Sequence, residues 1–176
     1  MLTLSYSASY DPYNTVFRML CILNGAPKKS MLKETMRIAD FFVCFPMRLS
    51  ELRPPNSVVG MRKRKNAALR EEVRPNFELL PSSDVLFERM EVFQEAAISA
   101  LQSKGYVNII STGASKLVCM QPEALSDRLT SEVNDFVSRH KNLMELVSMD
   151  FPRIELHGSD GLKARTGLGE WQYDTV

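Results

Sequence analysis

Cysteine and histidine are scarce in this chain of 176 residues, and their scarcity limits the chemistry it can host. The three cysteines, Cys21, Cys44 and Cys119, lie far apart in apolar runs, with no CxxC pair and no zinc-site spacing. We expect them to be reduced core residues of a cytoplasmic protein. The two histidines, His140 and His157, are too few for a metal cluster, so no metal and no other cofactor is expected.

Long apolar runs and an excess of charge of one sign are also missing. No run approaches the length that spans a bilayer, and residues 1–10, MLTLSYSASY, lack the basic region of a signal peptide. The formal net charge is +1, so no global field attracts nucleic acid or an anionic membrane. Any contact with DNA must therefore come from a local patch.

Catalytic motifs are equally sparse. Ser111 and Ser115 flank a predicted turn without a nearby base, which gives no support to nucleophilic catalysis. The segment GSDGLKARTGLG, residues 158–169, does not match the GxxxxGK[ST] loop that cradles nucleotide phosphates. We therefore expect a chain that is not an enzyme.

The sequence does contain a series of amphipathic helical segments, and the first runs from Asp11 to Gly25. Asp11 is a favourable N-cap, and Pro12 fits the first helical position, where its missing N–H costs nothing. Asn24 and Gly25 are expected to supply the left-handed residue that ends the helix. The apolar face of this helix must pack under another element.

A second helix is predicted from Ser30, as its cap, to about Cys44. Its second half is apolar nearly all round, which indicates a central and buried position. The phenylalanines of this half nevertheless point in several directions at once. We therefore also expect exposed apolar surface on the isolated chain, and Phe41 and Phe42 are candidate protein-interface residues.

Between about residues 46 and 81 the periodicity weakens, which predicts a solvent-exposed insertion, helical or irregular. It holds the dense basic run of the chain, and clusters of this kind often contact phosphate. The candidate nucleic-acid-binding residues are Arg62, Lys63, Arg64, Lys65 and Arg70. The alternative is a solvated segment that Glu71 and Glu72 partly balance. No aromatic residue is interleaved, so base stacking is not expected.

A third helix over 84–104 and a hairpin around Gly113, with strands at 106–110 and 116–120, follow the insertion. This order is that of a winged-helix unit, whose last helix before the hairpin enters a DNA groove. Here that helix carries four acidic residues against two basic ones, a net charge of −2, which phosphates would repel. The predicted fold is mainly α (α+β), with a winged-helix-like domain turned to protein contact.

The predicted organisation has three parts. Residues 1–121 form the winged-helix-like domain with its insertion, 122–150 form one long docking or dimerisation helix opened by Pro122, and 151–176 form a tail. In the tail, Trp171 and Tyr173 are candidate interface anchors, because interface hot spots favour such aromatic residues. The competing interpretation is that Trp171 packs back on its own domain.

Four stretches of the sequence resemble a known family. They are YDPYNTVFRMLCIL, ADFFVCFPMRL, LFERMEVFQEAAISALQSKGYV and TGLGEW, and together they span Tyr10 to Trp171. They resemble the middle component of ABC-three-component systems, which accompanies an SMC-like ATPase and an effector in Lamassu-type anti-phage and anti-plasmid defence. The shared motifs are packing motifs, and the resemblance brings no catalytic residue.

The resemblance implies a non-enzymatic adaptor subunit that lies near the ATPase heads and holds or restrains a nuclease-type effector. DNA would then be reached through the assembled complex. The alternative, from the residues alone, is a stand-alone winged-helix transcriptional regulator. The acidic helix over 84–104 and the near-zero net charge favour the adaptor.

Overall fold

A bundle of helices packs beside one small antiparallel sheet in the computed structural model, which describes residues 8–75 and 79–169. The helices are α1 (Pro12–Gly25), α2 (Lys33–Cys44), α3 (Met61–Glu72), α4 (Ser83–Ser103), α5 (Asp127–Arg139), α6 (Lys141–Glu145) and α7 (Leu162–Thr166). The strands are β1 (Ser30–Leu32), β2 (Val107–Thr112) and β3 (Ser115–Met120), in the order β1-β3-β2. The mainly helical α+β class is confirmed. None of the helices described is long and apolar enough to cross a membrane.

The start of α1 follows the prediction and its end does not. Asp11 caps the helix by accepting a hydrogen bond from the backbone N–H of Tyr13 at 2.9 Å, and Pro12 opens the first turn. Gly25, however, belongs to the helix, and Ala26 after it is extended, so no left-handed residue ends α1. A Cβ on Gly25 would lie 3.0 Å from that of Ser148, so this glycine serves close packing.

The predicted cap of the second helix is instead the first residue of a strand. Ser30 lies opposite Cys119 and Leu32 lies opposite Leu117, which makes β1 an edge strand of the sheet. The helix α2 therefore begins only at Lys33. The backbone of Ser30 belongs to the strand that pairs with β3, and its side chain caps no helix.

The hairpin and the helix before it are confirmed. The strands β2 and β3 pair from Val107 opposite Met120 to Thr112 opposite Ser115, so two residues form the turn. Gly113 in that turn has φ of 64°, a left-handed conformation that favours glycine. Helix α4 matches the prediction to within one residue at each end, and its inner stripe is buried.

The single long helix predicted over 122–150 is wrong. Pro122–Ala124 form a 3-10 turn, and α5 begins later, where the hydroxyl of Ser126 accepts from the N–H of Leu129 at 3.2 Å. The helical path is interrupted at His140, whose φ and ψ are −115° and 39°. The chain then continues through α6 and a π-helical turn at Leu146–Asp150.

Phe41 and Phe42 are core residues, with exposed fractions of 0% and 1%. The ring of Phe41 lies 6.0 Å from that of Phe87 on α4, and the ring of Phe42 lies 5.7 Å from that of Phe151. The expectation that they form exposed surface is therefore wrong. Their side chains point in different directions because different elements surround α2, and each direction leads into packed protein.

A buried polar network joins α1, α2 and α4 through Arg18, Asp40 and Gln94. Nε of Arg18 donates to Oδ1 of Asp40 at 2.6 Å, and Nε2 of Gln94 donates to Oδ2 at 2.9 Å. Burial is the largest influence on the pKa of Arg18 and lowers it, but the charge of Asp40, its hydrogen bond and the nearby Cys44 and Asp11 together raise the pKa above its ordinary value. Both charges are satisfied, as buried ions must be if the fold is to be stable.

Candidate functional site

Helix α3, which carries the basic run, has an inner and an outer face. Gly60 precedes it with φ of 81°, and the helix then places Met61 and Ala68 at 0% exposure. The inner face packs against α6 and against the 3-10 turn Pro46–Glu51. The prediction of a solvent-exposed insertion is therefore wrong for the inner face of this helix.

Arg64 belongs to the inner side and is held by a carboxylate. Its Nε and Nη2 lie 2.6 Å from Oδ2 and Oδ1 of Asp150, and Nη2 also donates to the carbonyl of Val59 at 2.9 Å. Asp150 is 1% exposed, and its hydrogen bond raises the pKa of Arg64. A guanidinium engaged in this bidentate way is a structural tie between α3 and the π-helical turn.

Lys65 is also engaged within the chain. Its Nζ donates to the backbone carbonyl of Leu52 at 2.8 Å. Burial lowers the pKa of Lys65, and the neighbouring charge of Arg62 lowers it further. Two of the five predicted phosphate-contacting residues therefore have local structural roles.

The remaining three cations, Arg62, Lys63 and Arg70, are exposed and have no hydrogen-bond or ion-pair partner within the described part of the chain. Arg62, Asn66 and Arg70 follow one another at four-residue spacing, so they form one ridge of the helix. With a rise of about 1.5 Å per residue, this ridge is roughly 12 Å long. We call Arg62, Lys63, Asn66 and Arg70 the outer face of α3.

The two carboxylates at the C-terminal end of α3 form no ion pair with the cations of this outer face. Oε2 of Glu72 lies 2.8 Å from Nδ1 of His140, and Asn142 donates to both carboxylate oxygens of Glu71 at 2.8 and 3.0 Å. Both carboxylates are thus held by residues at the start of α6. Neither carboxylate pairs directly with a cation of the basic run, and the interpretation that they partly balance its charge stays a prediction.

Helix α4 presents the opposite situation. Two of its four carboxylates have cationic partners on α2: Nζ of Lys33 lies 2.6 Å from Oε1 of Glu95, and Nη2 of Arg37 lies 3.6 Å from Oε2 of Glu91. Val92 between them is 73% exposed. The outward side of α4 therefore offers paired acids and one apolar residue, and no cationic cluster that could read a DNA groove.

Two of the three thiols, Cys21 and Cys44, are buried in the core. Burial raises the pKa of Cys21 to about 12, and that of Cys44 is raised by burial as well. Thiols of this kind are protonated at neutral pH and unreactive. Over residues 8–75 and 79–169, no three His, Cys, Asp or Glu side chains are grouped so that they could hold a metal.

The sequence predictions missed Asp150 and Asn66, and they also included residues that the structure does not describe. Asn66 could have been found, because it lies four residues from both Arg62 and Arg70 on one helical ridge. Asp150 gave no such signal, since it is 86 residues from Arg64 in the chain. Trp171 and Tyr173 lie outside the described residues, so their predicted role as anchors stays a prediction.

Comparison with known proteins gives one match. A family model described as "ABC-three component (ABC-3C) system Middle Component 5" matches residues 4–174. Neither a curated protein nor a solved structure matches the chain.

Proposed function

Because the chain belongs to the family ABC-three component (ABC-3C) system Middle Component 5, we propose that it is the adaptor subunit of such a defence complex. In this proposal it bridges the heads of an SMC-like ATPase and a nuclease-type effector, as in Lamassu-type systems. The observation that carries the proposal is the family match over residues 4–174. The adaptor has no chemistry of its own and acts by holding its partners.

We propose that the fold of the adaptor is winged-helix-like, with α3 as an insertion before its third helix. The order α1, β1, α2, α4, β2, β3 and the sheet order β1-β3-β2 support this assignment. In such a unit, α4 would take the place of the groove-reading helix. Its acidic and partly apolar outward side suits a protein partner better than DNA.

We propose that the ATPase or effector is held partly by the tail. Trp171 and Tyr173 would act as aromatic anchors, and truncating a central interface tryptophan often costs about 2 kcal/mol or more. Trp171→Ala is then expected to keep the melting temperature and to weaken assembly at least about tenfold in a pull-down. A lowered melting temperature with normal assembly of the folded fraction would instead place Trp171 on its own domain.

The absence of enzymatic activity is part of the proposal. The raised pKa of the Cys21 and Cys44 thiols and the missing phosphate-binding loop support it. The purified chain should show no ATPase, nuclease or hydrolase turnover. Turnover that a point mutation in this chain abolishes would contradict the proposal.

The test of the adaptor role is co-purification. The tagged chain is expressed together with the products of its neighbouring genes, which we expect to include a long ATPase with a coiled-coil middle. The adaptor predicts a stable complex, and the chain alone should not shift random duplex DNA at physiological salt. If the chain shifts the duplex alone and retains no partner, it is the stand-alone winged-helix regulator.

A further inference from the structure

We infer that the outer face of α3, formed by Arg62, Lys63, Asn66 and Arg70, is a contact surface for the phosphate backbone of duplex DNA. The inference deepens the proposed function, since it assigns the DNA contact of the complex to one face of this subunit. Arg64 and Lys65 are excluded from the contact, because Asp150 and the carbonyl of Leu52 already hold them.

The charge order along α3 supports a role in binding. Cations are favoured near the C-terminus of a helix and acids near the N-terminus. Helix α3 largely reverses this order, with Arg62 and Lys63 in the first turn and Glu71 and Glu72 in the last, where Arg70 is favourably placed. The positions of Arg62 and Lys63 therefore work against helix stability, and an external anion would remove that conflict.

The N-terminus of α3 adds to the attraction for an anion. Gly60 occupies the cap position, and no side chain accepts from the free N–H groups of the first turn. The N–H of Met61 donates to the carbonyl of Val58 at 3.3 Å, and the free N–H groups of the next residues together with the helix dipole favour phosphate at this end. They lie beside Arg62 and Lys63, so the groups that favour an anion are concentrated at one end of the outer face.

The composition of the outer face favours nucleic acid over a membrane or a protein partner. None of the large hydrophobic side chains found exposed in the described residues belongs to α3, whereas membrane-bound helices and interface hot spots use such residues. Arginine binds phosphate through its planar fork, and asparagine also donates to phosphate oxygens. A ridge of roughly 12 Å passes three or four phosphates of one strand at about 3.4 Å of axial rise each.

The experiment measures how DNA binding by the full chain depends on salt. A labelled random duplex is titrated from 50 to 200 mM salt, since three contacts alone bind weakly at physiological salt. Arg62, Lys63 and Arg70 should give a slope of log K against log salt of roughly −2.7, a loss of about 40-fold over this range. In the triple variant R62A/K63A/R70A the magnitude of the slope should fall to less than about 1, and affinity at 50 mM should drop at least about tenfold.

Two matched variants separate position from charge. K104A/K116A/R128A removes the same charge from exposed positions elsewhere and should keep the wild-type slope. R62K/R70K retains the charge and should keep most of the slope. Melting curves on all three variants verify folding, and the alanines on the outer face of α3, which is helical and exposed, are not expected to lower the melting temperature.

The outcomes are decisive for this face. An unchanged slope in R62A/K63A/R70A, or no binding by wild type at 50 mM, overturns the inference. Loss of the slope in K104A/K116A/R128A alone assigns DNA binding to the hairpin side and overturns it as well. Tighter binding to poly-L-glutamate than to the duplex at equal charge would indicate that the outer face binds an acidic protein, and it would also overturn the inference. Co-purification with the ATPase is scored separately, so the adaptor role can fail while the DNA face holds.

Discussion

Helices α3 and α4 carry opposite charge, and they use it in opposite ways. The carboxylates Glu91 and Glu95 of α4 have cationic partners on the neighbouring helix α2. On α3 the inner cations Arg64 and Lys65 are held by the chain, while the outer cations have no partner among the described residues. The acidic helix is thus tied to its neighbour through two of its carboxylates, and the basic helix presents available charge.

The difference shows that the charge of a segment is a poor guide to the charge of a surface. The net charge of −2 on residues 84–104 is reduced in place by Lys33 and Arg37. On α3 the acids that follow the basic run are directed to His140 and Asn142, so the cations of the outer face have no direct carboxylate partner among the described residues. What decides the outcome is which residues of other elements reach each side chain.

The largest effect is expected in the buried network through which Gln94 ties α4 to Asp40 on α2. Asp40→Ala removes the partner of Arg18 and one partner of Gln94, and it leaves a guanidinium buried without a counter-charge. Breaking a buried pair in this way costs about 3–5 kcal/mol, measured as the free energy of unfolding in urea. The outward substitution Glu88→Ala should stay within about 0.5 kcal/mol of wild type. Similar losses for the two variants would mean that α4 is not anchored through this network.

The next largest effect is expected for Arg64→Ala, which leaves the 1% exposed carboxylate of Asp150 without its bidentate partner. An unpaired buried charge of this kind costs about 2–3 kcal/mol. Arg62→Ala, two residues earlier on the same helix, should change the free energy of unfolding by no more than about 0.5 kcal/mol. Equal effects would erase the distinction between the two faces of α3.

A smaller effect is expected at the start of α3. Gly60→Ala forces an L-residue to φ of 81°, which costs about 1–2 kcal/mol, and its Cβ would lie 2.9 Å from Nη1 of Arg64. Gly105→Ala is the control, because Gly105 has φ of 72° and no atom within 4 Å of the added Cβ. Any extra loss in Gly60→Ala over this control reports the displacement of Arg64. Equal losses would show that Arg64 adjusts freely.

The smallest effect is expected for Glu95→Gln on α4. Its ion pair with Lys33 is partly exposed, with side-chain exposures of 42% and 20%. Exposed pairs contribute about 0–1 kcal/mol, and salt screens them. The free energy of unfolding at 0.5 M salt should therefore be the same in wild type and variant. A loss of more than about 2 kcal/mol in the free energy of unfolding would mean that this pair stabilises the fold as much as Arg64 with Asp150 does.

Local signals in the sequence were enough for much of the fold. Asp11 and Pro12 fix the start of α1, and Gly113 fixes the hairpin turn, because these residues act on backbone atoms a few positions away. The inner stripe of α4 follows from its spacing alone. Each of these predictions depends on contacts within one element or between adjacent ones.

Contacts between distant parts of the chain account for what could not be predicted. Ser30 satisfies the rules for a helix cap, but its backbone pairs with Cys119, which no local pattern indicates. The burial of Phe42 depends on Phe151, and the engagement of Arg64 depends on Asp150. The basic run was therefore identified as a whole, and its division into structural and available cations required the structure.

The most direct test of this account is a crossed comparison of R62A/R70A with Arg64→Ala, in which melting temperature and the salt slope of duplex binding are measured on the same preparations. R62A/R70A is expected to keep the melting temperature, and the magnitude of its slope of log K against log salt should fall by about 1.8, at roughly 0.9 per contact. Arg64→Ala should lower the melting temperature and keep the slope of its folded fraction. The opposite result would contradict the division of α3 into structural and available cations. In that result the slope falls in Arg64→Ala at an unchanged melting temperature, and R62A/R70A is indistinguishable from wild type.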